Sequence, residues 1–435
     1  MHILFLSDNF PPEVNAPASR TFEHARVWVR DGHQVTVITC APNFPTGQIF
    51  PGFRNQLSYE RIDGIAVFRV PTLIFRNEGF LLRSLDYLSF IPGAVLAGLK
   101  VRRPDVVVAT SPQFFCACGG CLLSTLRGLP FVFELRDLWP ASITAVGAMR
   151  RGLVIRLLER LELFLYRRAR AVVAVTASFK TELMRRGVSA GKVAVIRNGV
   201  DLMRYQPRPR DMVLATEWGL KGRFTVGYIG THGMAHALGN VLEVAKWLRN
   251  RDDIHFLFVG DGAARPALME QARREGLSNI AFKPMQTKDR MPAVWSCCDV
   301  ALVHLSKAAL FESVIPSKIF EAMGMGIPIL YAGPSGEASR IVTEAGAGIQ
   351  VAPEDPAALA EQVIALADDR KRCAALSLAS RHAAPSWDRT RLARRMAIVL
   401  GAVISRPGRA MARGPAMPLS FAAEIVSTGG AAKHA

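Results

Sequence analysis

Residues 313–330, SVIPSKIFEAMGMGIPIL, pass from a loop through a short helix into an apolar strand. A loop ends in Pro316, a helix opens at Ser317 and Lys318, glycines stop it, and an apolar strand follows. Loop, helix and strand in this order build a parallel sheet covered by helices. The chemistry is also specific. A helix N-terminus beside a lysine is an anion site. Glu321, one turn further in, can accept two hydrogen bonds from a vicinal diol such as a ribose. The plainer alternative is that Ser317 caps the helix and Glu321 only favours its N-terminal half.

Outward from this segment the same pattern repeats. Apolar strands are expected at 2–7, 34–39, 65–70, 105–111, 131–135, 171–176 and 193–198. After the Pro- and Arg-rich stretch YQPRPRD (205–211) they resume at 225–230, 254–260, 280–284, 300–305, 328–333 and 348–352. The expectation is an α/β protein of two Rossmann-like, doubly wound parallel-sheet domains facing across a cleft. The boundaries are 1–204 and 210–385, with a last helix at 388–403 packing back on the first domain. Residues 404–435, rich in Ala, Gly, Pro and Arg, are expected to be a disordered tail. Ligands of such sheets bind at the carboxyl ends of the strands.

The 435 residues are 50% hydrophobic and 21% charged, which suits sizeable cores and excludes a largely disordered chain. A net charge of +18, spread over both halves, suits nucleic acid, an anionic membrane or phosphorylated ligands. Seven cysteines in a chain this long, whose start reads as a strand and not as a secretory signal, point to a reduced, cytoplasmic protein. No window is long and apolar enough for a transmembrane helix. Cys116, Cys118 and Cys121 lack a fourth ligand nearby and do not share a helix face, so metal binding is not expected there. With no Asp-x-Asp in the chain, no metal site is expected at all.

Three other segments matter. The loop SDNFPPEVNAPASR (7–20) leads into a helix whose first turn holds Arg20, within reach of an anion. In VGDGAARPAL (259–268), Gly260 and Gly262 permit close packing or close ligand approach. Residues 73–103 combine apolar clusters with Arg76, Arg83, Lys100, Arg102 and Arg103, as a segment lying in a membrane interface does. The basic amphipathic helix at 150–171 is read as part of the fold, and no aromatic–basic interleaving suggests single-strand nucleic acid binding.

Taken in order, FPPEVNAPASR, DGHQVTVIT (31–39), RDLWP (136–140), VIRNGVD (195–201), VGDGAARPAL, PSKIFEAMGMGIPIL and SWD (386–388) resemble a family-4 glycosyltransferase with the GT-B fold. The resemblance covers about residues 1–403. It is similar to a branch with fucosamine transferases and other bacterial surface-polysaccharide enzymes. It implies a retaining transferase that takes a sugar from a nucleotide diphosphate. Glu321 matches the ribose-binding Glu, and Ser317 and Lys318 lie where the diphosphate sits. Asn15 and Ala16 stand where many relatives have a Gly pair near the donor phosphates. Arg20, Arg136 and Asp137 fall on the acceptor side, with Asp137 a candidate base. Two departures stand out. Ser313 occupies the position eight before Glu321 where relatives carry Glu, and GTHGMAHAL (230–238) lacks their Arg and Lys. Gly230, His232, His236 and Arg197 then join Lys318 and helix termini around the diphosphate.

The expected function is transfer of a sugar, such as an N-acetylated deoxyhexose, from a UDP-type donor to a polyprenyl-diphosphate-linked glycan on the inner face of the cytoplasmic membrane. Beyond this nucleotide-sugar co-substrate, no cofactor is expected. The alternatives are a nucleotide-sugar epimerase or hydrolase of the same fold, or a non-catalytic nucleotide- or polyanion-binding protein.

Overall fold

The structure, a computed structural model, describes residues 1–44, 46–75, 80–139 and 152–405. Strands β1 (His2–Leu6), β2 (Gln34–Cys40), β3 (Ser58–Ile62), β4 (Ile65–Val70), β5 (Val106–Thr110), β6 (Phe131–Leu135), β7 (Ala171–Ala174) and β8 (Val193–Val195) form one sheet. Its order is β3-β4-β2-β1-β5-β6-β7-β8. A second sheet comprises β9 (Phe224–Ile229), β10 (Ile254–Val259), β11 (Ile280–Lys283), β12 (Val300–His304), β13 (Ile329–Ala332) and β14 (Gly348–Val351). Its order is β11-β10-β9-β12-β13-β14. Central strands such as β5, Val-Val-Val-Ala-Thr, are buried along their whole length, as sheets covered on both faces require.

Among the described residues the sheets are parallel except at one edge. There β3 runs antiparallel to β4 from a turn at Asp63 (φ 49°) and Gly64 (φ 82°). The doubly wound parallel architecture stands, with β3 as an antiparallel edge strand that the sequence reading did not include. It escaped detection because its residues alternate between half-buried and exposed, so no apolar run marks it.

The helices of the first half are α1 (Ala16–Arg30), α2 (Phe80–Lys100), α3 (Phe114–Arg127), α4 (Leu153–Arg168) and α5 (Ala177–Arg185). Those of the second are α6 (Met212–Glu217), α7 (Gly239–Trp247), α8 (Arg265–Arg274), α9 (Met291–Ser296), α10 (Lys318–Met325), α11 (Glu337–Glu344), α12 (Pro356–Asp368) and α13 (Arg370–Ala383). The last, α14 (Arg389–Ser405), returns to the first sheet. Its Leu392, Ala393, Met396 and Leu400 share a core with Trp28, Val37 and Val108. The indole N–H of Trp28 donates to the carbonyl of Ala393 at 2.8 Å. At the crossing, Val200 and Asp388 form a parallel bridge, so the outgoing and returning chains run side by side. The segment expected as a tail begins inside α14, at Ile404 and Ser405, and residues 406–435 lie outside the described residues.

In each sheet the switch point falls beside the first strand: β1 lies between β2 and β5, and β9 between β10 and β12. The loops leaving these strands carry the chemistry that follows.

Candidate active site

Helix α10 begins at Lys318 and closes on Gly326, whose φ of 67° is the left-handed stop of a helix C-terminus. Ser317 does not cap it: its backbone is already helical and its side chain makes no capping bond. The N-terminus has no side-chain cap, although Ile319 N and Phe320 N donate to the carbonyls of Pro316 and Ser317, and the lysine at its head points back toward β9. The Nζ of Lys318 is buried without a hydrogen-bond partner, 3.6 Å from the centroid of the Tyr228 ring. Burial lowers its pKa to about 7, against the opposing pull of Glu321.

One turn on, Glu321 Oε2 accepts from the indole N–H of Trp295 at 3.1 Å, and among the described residues no other side chain or amide bonds this carboxyl. One oxygen stays available to a hydroxyl-bearing ligand. Burial raises the pKa of Glu321, and the Trp295 bond, Lys318, Lys288 and Arg204 act against that rise.

Facing Lys318 are the ends of β9 and β10. A Cβ on Gly260 (φ 141°) would stand 2.0 Å from the carbonyl oxygen of Gly230, and one on Gly262 (φ 153°) 2.5 Å from that of His232. The two loops thus interlock through backbone contacts that tolerate only glycine. A Cβ on Gly230 would press on Lys318 Nζ at 3.2 Å. His232, fully buried, has neither ring nitrogen bonded. Burial, then Lys318 and Arg265, lower its pKa to about 4. His236 is committed differently: its Nδ1 meets the His304 carbonyl at 3.2 Å while His304 Nδ1 meets the His236 carbonyl at 2.7 Å. Arg265, at the head of α8, has a buried Nε without a partner.

The first domain presents a different picture. Asn15 caps α1, its Oδ1 accepting from Ala18 N at 2.9 Å, and Ala16 is the first helical residue. Arg20 is not available to an acceptor. It is 3% exposed; its Nε pairs with Glu134 at 2.8 Å, and its other nitrogens donate to Ile196 O, Arg197 O and Asn198 Oδ1. The acceptor reading of Arg20 is therefore corrected: the guanidinium is a brace between α1, β6 and the exit of β8. Arg136 donates to the Pro17 carbonyl at 3.2 Å. The backbone amides of Arg136 and Asp137 both donate to Ser111 Oγ, which fixes the start of the RDLWP loop. Pro140 and residues 141–151 beyond it lie outside the described residues.

Among the described residues, polar contacts span the cleft on both flanks. Glu337, at the head of α11, pairs with Arg197 Nε at 2.6 Å and accepts from Ser178 N and Oγ. Arg197 is thereby turned to an interdomain pair and not toward Lys318. On the other flank, Lys288 bonds Ser19 and approaches Glu23 at 3.4 Å. Trp295, Tyr228, Arg265 and Lys288 were not singled out in the sequence. Their partners are distant in the chain, and only the two glycines beside Arg265 hinted at its place.

Two family models match this chain: a glycosyl transferase 4-like domain over residues 15–199 and a glycosyl transferases group 1 domain over 223–369. The chain is a glycosyltransferase. The colanic acid biosynthesis glycosyl transferase WcaI of Escherichia coli K12 is 28% identical to it over 335 residues, 75% of this chain and 82% of that one. A GDP-mannose-dependent alpha-mannosyltransferase of Mycolicibacterium smegmatis is 27% identical over 333 residues, 76% of this chain and 79% of that one. Among solved structures, Anabaena HepE in complex with UDP superimposes with a TM-score of 0.68 at 20% identity, covering 92% of this chain and all of that one. The two-sheet architecture of the enzyme is accordingly the GT-B fold.

Proposed function

We propose that this glycosyltransferase is a retaining enzyme of bacterial surface-polysaccharide assembly. It takes a sugar from a UDP-type nucleotide sugar and passes it to a lipid-diphosphate-linked acceptor. The observation that carries the donor half is the uncapped head of α10, where the unpartnered Lys318 amine and the half-engaged Glu321 carboxyl stand one turn apart. A diphosphate fits the first and a ribose diol the second. Breaking the bond between the sugar and the diphosphate places negative charge on the leaving group, which Lys318 and the helix N-terminus stabilise. A new bond forms between the sugar and the acceptor oxygen, and the hydroxyl proton departs with the diphosphate. A UDP-type donor is supported by the UDP complex of HepE, and a GDP-type donor by the mannosyltransferase relative.

The test supplies UDP- and GDP-linked sugars together with a membrane lipid extract. Sugar transferred to lipid supports the proposal and names the base. Free sugar, or an isomerised nucleotide sugar, formed without acceptor supports a hydrolase or an epimerase, and no turnover supports a binding protein.

Support for the lipid side comes from α2. Its inner face packs Phe90, Ala94 and Ala97 into the core. Its outer face is a stripe of exposed leucines, Leu82, Leu85, Leu88, Leu96 and Leu99, at helical spacing. Lys100, Arg102 and Arg103 follow it. Exposed Leu122 and Leu126 of α3 and Leu157 and Phe164 of α4 extend this surface, so α4 contributes an outward apolar face as well as core. Arg76 and Glu78 lie outside the described residues, as do the side chains of Phe80, Leu81 and Arg83. No described helix is long and apolar enough to cross a membrane.

Vesicles with anionic lipid should bind the enzyme, each engaged basic residue adding about 1 kcal/mol at low salt. The leucine stripe should leave part of that binding resistant to salt. Replacing Leu85, Leu88 and Leu96 with Ser should remove the resistant part and slow transfer to a lipid acceptor, while sparing a short water-soluble one. Identical co-sedimentation curves for the two proteins would remove α2 from the membrane.

A further inference from the structure

Three nitrogen groups around the ends of β9 and β10 are buried and unbonded among the described residues: Lys318 Nζ, both ring nitrogens of His232, and Arg265 Nε. Buried polar atoms without partners are rare, and one pocket with four such nitrogens needs an explanation. All four can donate a hydrogen bond, three of them without a change of tautomer or charge state. The backbone around them is held open by glycines whose Cβ atoms would collide with neighbouring chain. An anion rich in acceptor oxygens satisfies Lys318, Arg265 and the one N–H of neutral His232 at once.

We propose that Lys318, His232 and Arg265 together hold the donor's diphosphate, and that the diphosphate draws one proton from solvent onto Lys318 as it binds. The inference rests on the reading of this site as a nucleoside-diphosphate site and goes beyond it in two respects. It adds Arg265 as a charged partner, with neutral His232 as a hydrogen-bond donor, where GTHGMAHAL lacks an Arg and a Lys, and it makes binding depend on pH.

The geometry gives the reason for the proton. The Lys318 amine has a ring face on one side, Tyr228 of β9, and no carboxylate on it. Glu321, on its own helix, is bonded by Trp295. His232 and His236 from the loop after β9, and His304 from β12, meet the same field of positive charge. Asp261 acts on His232 and not on Lys318. An ammonium in this setting has lost water without gaining a counter-ion, so the free site holds Lys318 near half-charged at neutral pH. A diphosphate supplies the counter-ion and restores the charge. The sign follows. Well below pH 7 the amine is already charged and Lys318 adds no pH dependence of its own. Above it, each bound diphosphate must take up a proton, and affinity falls as pH rises.

The test is calorimetry of UDP binding between about pH 7.5 and 9, where the UDP phosphates are already ionised, in two buffers of different ionisation enthalpy. Uptake of about one proton per UDP, and an affinity falling about tenfold per pH unit, are expected for the wild type. Uridine should bind without either effect. Lys288, another cleft amine lowered by burial to about 8, is the competing source of a proton site. Lys318→Met separates the two, because it should abolish uptake while UDP still binds weakly. Lys318→Arg stays charged throughout and should bind UDP with no pH dependence in this range. Arg265→Gln should weaken UDP roughly 10- to 100-fold, leave uridine unchanged and keep the proton uptake. UDP binding without proton uptake, or uptake that persists in Lys318→Met, overturns the proton coupling and leaves the donor site standing. Arg265→Gln affecting UDP and uridine equally overturns its role. Failure of wild-type enzyme to bind UDP at any pH overturns the UDP-site reading itself.

Discussion

Glu321→Ala should lower kcat/KM for the correct nucleotide sugar by roughly 10- to 150-fold, since a hydrogen bond to a charged group is worth about 1.5–3 kcal/mol. The fold should survive. Trp295 loses one acceptor, but its ring stays packed in the core of the second domain. Glu321→Gln is the sharper comparison. The amide keeps the shape and can still accept from Trp295, but it offers a weaker acceptor to a diol. An intermediate loss for Gln and a full loss for Ala would place the carboxylate on the substrate. Equal, small losses would make Glu321 a support for Trp295 alone.

Arg20→Ala should act on stability and not on acceptor binding. Removing one partner of a buried ion pair costs about 3–5 kcal/mol, because the other charge is left in the interior without compensation. Here that charge is Glu134, 1% exposed near the end of an apolar strand, where Arg136 and a Thr110 hydrogen bond offset part of it. Ile196 O, Arg197 O and Asn198 lose a donor in the same step. For a domain of this size the midpoint of thermal unfolding should drop by roughly 6–20 °C. Measured well below that midpoint, KM for the acceptor should be unchanged. A stable variant with a raised acceptor KM would reinstate Arg20 on the acceptor side.

These two residues mark how far the sequence could be read. Glu321 was legible because its evidence is local: a proline-terminated loop, a lysine and an acid one turn apart on a short helix. Arg20 misled for the same reason. In the first turn of a helix after a strand, an arginine looks like an anion contact, and nothing nearby reveals Glu134, 114 positions along. A clue did exist in Phe-Val-Phe-Glu-Leu (131–135), where a lone acid in a strand buried on both faces needs a partner. The parallel strands were visible as apolar runs. Strand β3 was not, although Asp63-Gly64 before Ile65 is a recognised hairpin turn and could have located it. Tyr228, Trp295 and Arg265 reach the site from β9, α9 and α8. Sequence alone gives no reason to bring those three elements together around one lysine.

The return of α14 has a consequence for how the chain is made. The ribosome releases the first sheet early, yet the groove beside Trp28 stays unfilled until the stretch holding Leu392, Met396 and Leu400 has emerged, with Ala393 lying 365 residues beyond Trp28. The second sheet needs no strand from outside 224–351. Synthesis order and completion order are thus reversed: the first half has all its strands by Val195 but waits with an uncovered apolar groove, while the half translated later has its core elements before α14 emerges. During that interval the nascent chain offers chaperones a binding surface in its own N-terminal half.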